Sequence, residues 1–573
     1  MKKNFFVKLF GLTILMFTLL FTGALAETYE GTGLGYDKDG IVLDVEITNN
    51  KIVDIKVKRA KESEFATPAI QEIAKKVIAT QSLDVDGISG ATITSEGTKE
   101  AIEEAVKKSG ITLTAVTGQN TKAVELPKET DVVVIGAGGA GLTSAIAAHE
   151  KGAKVILIEK TELLGGNTNY ATAGLNAAGT KIQEKLGIKD SPELFYEDTI
   201  KGGKNKNNKE LVKVLANNSS AIVDWLIERG ADLSELTSTG GQSAKRTHRP
   251  TGGTAVGPNI VAALSKTAEN EKIDIRKGTK AIALVKAKNK IVGVKVREVD
   301  GKEYTIKAKA VIVATGGFGA NAKMVEKYNP KLKGFGSTNN PAIVGDGIIM
   351  VEKVGGALVD MSEIQTHPTV VYNKTNMITE AVRGEGAILV NRDGKRFIDE
   401  LETRDVVSKA ILSQKGKSAF LIFDEDIRTK LKAADGYVKK GFAVEGTLEE
   451  IAAKIGTDAK TLEATLNKYN EAVKNKVDSE FNKKTLPKEL TGTKYYAIEV
   501  SPAVHHTMGG VRINTNAEVL GKNGRPIKGL YAAGEVTGGI HGANRIGGNA
   551  VADITIFGKI AGENAAIFSK SVK

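Results

Sequence analysis

Residues 131–160, DVVVIGAGGAGLTSAIAAHEKGAKVILIEK, leave the chain little choice of fold. Residues 132–135 are a run of β-branched apolar side chains, the pattern of a parallel strand buried on both faces. Gly136, Gly138 and Gly141 follow as G-x-G-x-x-G. Residues 142–150 read as a helix that Gly152 ends, and residues 155–158 as a second buried strand closing on Glu159. A dinucleotide needs this order. The first glycine makes the tight turn, and the second lets the backbone approach a pyrophosphate. The third lets helix pack on strand, and the helix N-terminus faces the phosphates. Glu159 stands eighteen residues after Gly141, where an acid takes ribose hydroxyls. The bland reading, a glycine-rich strand–helix turn without a ligand, does not explain why strands, helix and acid are all in register.

At 573 residues the chain has room for several domains, and its 63 glycines suit backbones that approach a cofactor. The net charge of +12 comes from Lys and Arg scattered among acids, with few aromatics and no basic run. It points to anionic partners or an anionic cell envelope and not to nucleic acid. There is no cysteine, which excludes disulfides, thiolate metal sites, iron–sulfur clusters and C-x-x-C-H haem attachment. Residues 1–26 read as an export signal. Lys2, Lys3 and Lys8 form a basic start, residues 9–21 are mostly apolar, and Ala24-Leu25-Ala26 precedes Glu27 as a cleavage site. The alternative is an uncleaved anchor, for which the apolar run is short.

Between residues 29 and 59, β-branched clusters at 42–47 and 52–57 flank a turn at 48–51, the pattern of a hairpin. Helices are expected over 68–79 and 97–108, and residues 112–130 are polar and aperiodic, a linker. After residue 131 strands and helices alternate, with a hairpin over 280–296 turned at 288–290 and a buried strand at 311–314. Residues from about 360 to 500 have a composition of their own. Glycines return at 501, and a final helix is expected over 548–568.

The string DGISGATITS at 86–95 resembles the attachment sequence of the FMN-binding domains of redox complexes, where FMN is esterified through its phosphate to a threonine. Asp86, Ser89, Gly90, Ala91 and Thr92 match its pattern. The resemblance implies covalent FMN on Thr92, installed by a flavin transferase, with Thr94 as the alternative. Residues alone would also allow a plain helix cap.

From residue 131 nearly to the C-terminus the chain resembles the flavoprotein subunits of fumarate reductases and succinate dehydrogenases, and especially the soluble flavocytochrome fumarate reductases. The strings that carry this are GGNT (165–168), HRPTGG (248–253), ATGGFG (314–319), THP (366–368), TEAVRGEGA (379–387), TRD (403–405), HHTMGG (505–510) and AAGEVTGGIHGANRIGGNA (532–550). The departure lies at the front, where an FMN-binding domain takes the place of the haem domain. The implied class is α/β: a Rossmann-like FAD-binding domain (130–359 and 501–573) interrupted by an α+β capping domain (360–500). A small α+β FMN-binding domain (27–112) and a linker (113–129) precede it.

The resemblance assigns non-covalent FAD to Gly136, Gly138, Gly141, Glu159, Asn167, Thr168, Ala173, Gly174, Ala281, Asp346, His506, Glu535, Ala550 and Val551. It gives one substrate carboxylate to Arg404 and Arg545 and the other to His367, Thr379 and His505. It makes Arg404 the acid, supplied with protons through Glu380 and Arg383. Chemistry alone agrees on the class of substrate, because guanidinium forks grip carboxylates bidentately. Arginine is an unusual acid, with a pKa above about 12, and serves only if its proton is replaced as it leaves. The activity implied is reduction of fumarate to succinate by an exported enzyme drawing on a membrane or extracellular electron donor. Met377 is expected near the alkene or in ordinary core packing. The alternatives are a reductase of another enoate, such as urocanate, and a flavin electron carrier without catalysis.

Overall fold

A computed structural model describes residues 26–35, 40–60, 62, 66–88, 91–115 and 127–572. The export signal before Ala26, Ser89, Gly90 and most of the linker lie outside the described residues, as does the side chain of Thr92. The chain divides into two compact units, the first made mainly of residues before the linker and the second mainly of those after it; residues 66–69, 88, 91 and 92 group with the second.

In the first unit, β1 (Glu27–Gly33), β2 (Ile41–Thr48) and β3 (Lys51–Ala60) form an antiparallel sheet in that order. Two helices follow, α1 (Thr67–Thr80) and α2 (Thr92–Ser109). The expected hairpin is present, with Asn49 and Asn50 both at positive φ in its two-residue turn. Helix α2 begins at Thr92 and not at Gly97. Glycine weakens helix interiors, by about 1 kcal/mol against alanine, yet Gly97 lies inside this one. Here it serves packing. A Cβ on Gly97 would stand 2.1 Å from the Leu34 carbonyl oxygen, and one on Gly33 would stand 1.8 Å from that of Gly97. Strand β1 lies on α2 backbone to backbone, a contact that no side chain fits.

The second unit starts with β4 (Glu129–Ile135), α3 (Gly139–Glu150) and β5 (Val155–Ile158). It continues through β6 (Asp274–Arg276), β7 (Lys280–Ala287), β8 (Lys290–Arg297) and β9 (Glu303–Val313). Next come β10 (Ile364–Val371), α4 (Glu380–Gly384), β11 (Ile388–Val390), α5 (Arg404–Leu412), β12 (Ala419–Asp424), α6 (Ala459–Asn475) and β13 (Tyr495–Thr507). The chain ends with β14 (Pro526–Ala532) and α7 (Asn549–Ser571).

Two sheets organise this unit. In the first the strands run β7-β8-β14-β9-β4-β5-β6, with the β9, β4, β5 and β6 neighbours parallel and β7–β8 an antiparallel hairpin. Strands β4 and β5 and the end of β9 are buried on both faces, as their unbroken apolar runs require. The second sheet runs β10-β13-β12-β11, antiparallel throughout, and has its own apolar core, which includes Leu421, Phe423, Tyr496 and Ile498. Strand β13 carries His505 and His506 near its end.

Helix α7 returns the C-terminus to the nucleotide-binding turn. The Ser144 hydroxyl on α3 donates to the Gly558 carbonyl at 2.9 Å, and a Cβ on Gly562 would meet the Ser144 carbonyl oxygen at 2.3 Å. The two helices therefore touch at backbone distance, which sets the start of α7 beside the start of α3. Among the described residues no helix is long and apolar enough to cross a membrane.

Candidate active site

One cavity of about 1500 Å³, counting its open mouth, runs from the first strand–helix turn to the edge of the second sheet. At one end lie Gly136, Gly138 and Glu159. Gly136 has φ +98°, and a Cβ there would meet the Ala314 carbonyl oxygen at 2.6 Å. Gly138 opens on space, with nothing nearer to a Cβ than 3.6 Å. Gly141 does not line the cavity. A Cβ on it would stand 1.7 Å from the Gly136 carbonyl oxygen, so it is the packing glycine of the motif. The start of α3 is met by the Thr168 hydroxyl, which accepts from the Gly139 amide at 3.1 Å. No side chain caps α7, which opens at Gly548 with φ +87° beside Ala550 and Val551. Two helix N-termini thus face one cavity, the polarity that anionic groups need. Glu159 accepts from the Ala137 amide at 2.8 Å and from the Thr161 amide and hydroxyl at 2.9 Å, and has lone pairs left for ribose hydroxyls.

Asn167, Thr168, Ala173, Gly174, Ala281, Asp346, His506 and Glu535 also line the cavity. Asn167 donates to Asn339 at 2.6 Å and to Glu535 at 3.3 Å. Burial raises the Glu535 carboxyl above its ordinary range, while the Thr507 amide and Asn167 oppose this. His506 Nε2 is buried without a hydrogen-bond partner among the described residues. An orphaned polar atom at a cavity wall fits a bound polar ring such as a flavin.

Arg404, His505, Arg545 and Met377 line the other end. Arg404 opens α5, and Glu380 opens α4 after Thr379. The two guanidiniums converge on a single oxygen: Gln365 Oε1 accepts from Arg404 at 3.2 Å and from Arg545 at 3.1 Å. Gln365 Nε2 in turn donates to Asn544 Oδ1 at 2.7 Å and the Arg545 carbonyl at 2.8 Å. Arg404 Nε donates to Glu380 at 3.4 Å, and Arg383 lies 4.0 Å from the same carboxylate oxygen. The Gly240 amide, on a loop between the nucleotide-binding strands, is a further donor to Glu380. His367 lies behind His505, with ring centroids 5.3 Å apart, and the Thr338 hydroxyl bonds His505 Nδ1 at 2.8 Å. Thr379 gives its amide to the Tyr437 hydroxyl at 3.0 Å. His367, Thr379, Glu380 and Arg383 are not part of the cavity lining.

Burial, followed by Arg404, holds His367 and His505 well below the usual histidine range. Burial and Arg545 do the same to His506. These imidazoles are neutral, hydrogen-bonding groups without charge. Burial and Arg404 also bring Arg545 down to about 9. Burial pushes the Glu380 carboxyl up, but Arg404, Arg383 and the Gly240 amide outweigh it and hold the group below its ordinary range. Three guanidiniums therefore gather around the Glu380 carboxylate, while Glu535 and Asp553 also face Arg545 and Glu400 and Asp399 also face Arg383; Arg404 and Arg545 bring positive charge to the cavity wall.

The strings quoted from the sequence miss Gln365, Thr338 and Gly240, and contain Asn544 without singling it out. Gln365 had a signal: it stands two residues before His367 on one strand, and period-two spacing puts both on one face. Thr338 and Gly240 come from loops with no local signature.

The sequence matches the FAD binding domain family over residues 131–551 and the FMN-binding domain family over residues 35–107. It is 45% identical to the NADH:fumarate oxidoreductase of Klebsiella pneumoniae over 92% of this chain, and spans 57% of that relative's length. It is 51% identical to a fumarate reductase (cytochrome) of Shewanella frigidimarina, covering 77% of both. More distant relatives, at 35% identity over 94% of the chain, are an NADH:acrylate oxidoreductase of Vibrio harveyi and a urocanate reductase of Eggerthella lenta, of which the chain covers 61% and 92%. A solved flavocytochrome c3 fumarate reductase in its open conformation superposes with a TM-score of 0.69 at 43% identity, over 79% of this chain and 80% of that one. With a nucleotide cradle, two helix termini and a cluster of guanidiniums along one cavity, the chain belongs to the FAD binding domain family, as a fumarate reductase-like flavoprotein with an FMN-binding domain ahead of it.

Proposed function

We propose that the protein reduces fumarate to succinate. The observation that carries this is the convergence of two guanidiniums, Arg404 and Arg545, on one oxygen at the wall of the flavin cavity, with His505 beside them, a grip suited to a carboxylated substrate. When bound, reduced FAD supplies hydride to one alkene carbon, and FMN supplies the electrons that keep FAD reduced. Arg404 and Arg545 grip one carboxylate at the point where both now bond Gln365. His505, backed by His367, hydrogen-bonds the other as a neutral group, so binding adds no further charge. Arg404 gives a proton to the second alkene carbon and recovers it through Glu380 and Arg383. The gain comes from charge held in place before the reaction, in a site that admits little water.

The FMN is proposed to be esterified to Thr92 by a flavin transferase. Supporting this, Thr94 and Ser95 are buried and the Thr94 hydroxyl bonds Glu62, which leaves Thr92 at the helix start. The electron donor is proposed to be a membrane or extracellular protein, and the chain to be exported with a mature N-terminus at Glu27. That reading rests on the sequence of residues 1–26 alone.

A second reading, reduction of another enoate, is favoured by the names of the relatives from Vibrio harveyi and Eggerthella lenta. The test is a ratio of specificity constants for fumarate, acrylate, crotonate, cinnamate and urocanate with one artificial donor. Fumarate is expected to lead the mono-acids by up to about 10⁴, because a missing carboxylate leaves buried donors unpaired. A preference for any of the others overturns the dicarboxylate assignment.

A further inference from the structure

Four charged side chains are buried together behind the active site, in the core of the second sheet. Glu400 Oε1 accepts from Arg396 at 2.9 Å and from the Leu389 amide at 3.3 Å. Its Oε2 accepts from Arg396 at 3.0 Å and from Lys483 at 2.8 Å, and Arg396 also donates to Asp478 at 2.9 Å. The side chains of Lys483 and Glu400 have no exposed area, and those of Arg396 and Asp478 almost none. Two cations are balanced by two anions, and the Tyr469 ring on α6 lies beside both cations. Apolar side chains of equal volume hold a core as well or better, so stability alone does not account for this group.

What the quartet holds is the peptide of Glu400. Its carbonyl accepts from Arg383 Nη1. The Nε and Nη2 of Arg383 have no hydrogen-bond partner among the described residues, although Nη2 is the atom nearest Glu380. Four residues after Glu400 the chain enters α5 at Arg404, through a turn tied by Asp399 to the amides of Leu401 and Glu402. One pinned residue thus sets both ends of the line Arg404–Glu380–Arg383. Arg383 faces Glu380, Arg404, Glu400 and Asp399. Glu400 faces Arg396 and Lys483, with Asp478 beyond Arg396.

We propose that Lys483 and Glu400 are positioning residues for proton delivery: Lys483 pins Glu400, whose carbonyl holds Arg383 against Glu380 and whose place in the chain seats Arg404. This rests on the reading that Arg404 is the acid. Lys483→Met alone unbalances a buried group and can unfold the domain. The charge-balanced pair Lys483→Met with Glu400→Gln removes one charge of each sign and keeps the carbonyl. Lys483→Arg keeps the charge.

The flavin-loaded full chain is assayed with reduced viologen on whichever unsaturated acid the unsubstituted protein reduces fastest, so the choice of fumarate does not bear on the outcome. The double variant is expected to retain FAD and to lose kcat by about 10- to 100-fold, the scale of a displacement near 1 Å, with any rise in KM smaller than the fall in kcat. Its solvent deuterium isotope effect on kcat should rise, because the proton step then limits turnover, and Lys483→Arg should recover most of the rate. A folded, FAD-bound double variant with unchanged kcat and isotope effect overturns the proposal, as does a loss of rate that only tracks the unfolded fraction. If Glu380→Gln also turns over at full rate, the acid assignment falls with it. If Glu380→Gln is slow and the double variant is not, the positioning role alone falls.

Discussion

Replacing Glu380 by glutamine separates proton supply from substrate binding, because the two respond with opposite signs. Glu380 is the carboxylate that Arg404 and Arg383 share and that Arg545 also faces. At an effective dielectric of 20, its contacts at 3.4 and 4.0 Å are each worth about 4–5 kcal/mol of gross attraction. Water at the exposed fifth of the side chain trims this. Neutralising it makes the surroundings of Arg404 and Arg545 more positive by one charge, so a dianion should bind at least as well and KM should hold or fall. The rate should move the other way. With no titratable group behind Arg404, the loss should be that of a general acid, about 10²–10⁴-fold, or about 3–5 kcal/mol of barrier. Glutamine keeps the volume and can still accept from the Gly240 amide, so folding and FAD content should be unchanged. Anaerobic steady-state assays with reduced viologen, with flavin content measured on the same samples, give both constants. An unchanged kcat, or a KM that rises in step with the fall in kcat, would refute the role of Glu380.

Two further outcomes follow from the burial of particular groups. Thr92→Ala should abolish the mass of covalent FMN, whereas Thr94→Ala should keep it and lower the stability of the first unit, since Thr94 is buried and bonded to Glu62; intact-protein mass and thermal unfolding read the two effects. His367, His505 and His506 are held well below 6.5, and His248 is pushed down to about 4, chiefly by burial. The unfolded chain therefore binds protons that the folded one refuses, and stability present above pH 6.5 should fall as pH drops toward 4. The slope should be about 1.4 kcal/mol per pH unit for each histidine, or roughly 5 for the four. Denaturant titrations of the substrate-free flavoprotein between pH 7 and 5 measure it, and a flat profile would refute the assignment of neutral imidazoles.

What could be read from residues 131–160 was local: a buried strand, a glycine turn, a helix and an acid within thirty residues leave one arrangement, and the structure has it. Arg404, Arg545 and His505 were legible as a group only through their neighbouring strings. Nothing in a linear chain shows that positions 365, 404 and 545 share one oxygen. Gly97 was misread for a related reason. A glycine's cost to its own helix is visible in sequence, but the strand that needs its missing side chain lies more than sixty residues away. Gly240 and Lys483 act through contacts that span 140 and 83 positions, and no periodicity reports such pairs.

The Gly240 amide gives Glu380 a property that neither sheet has alone. The carboxylate belongs to the segment built on the second sheet, and one of the donors that keep it ionised comes from a loop of the nucleotide-binding segment. The acidity of Glu380 is therefore set jointly by two segments far apart in the chain, so a change in either one reaches the group behind Arg404.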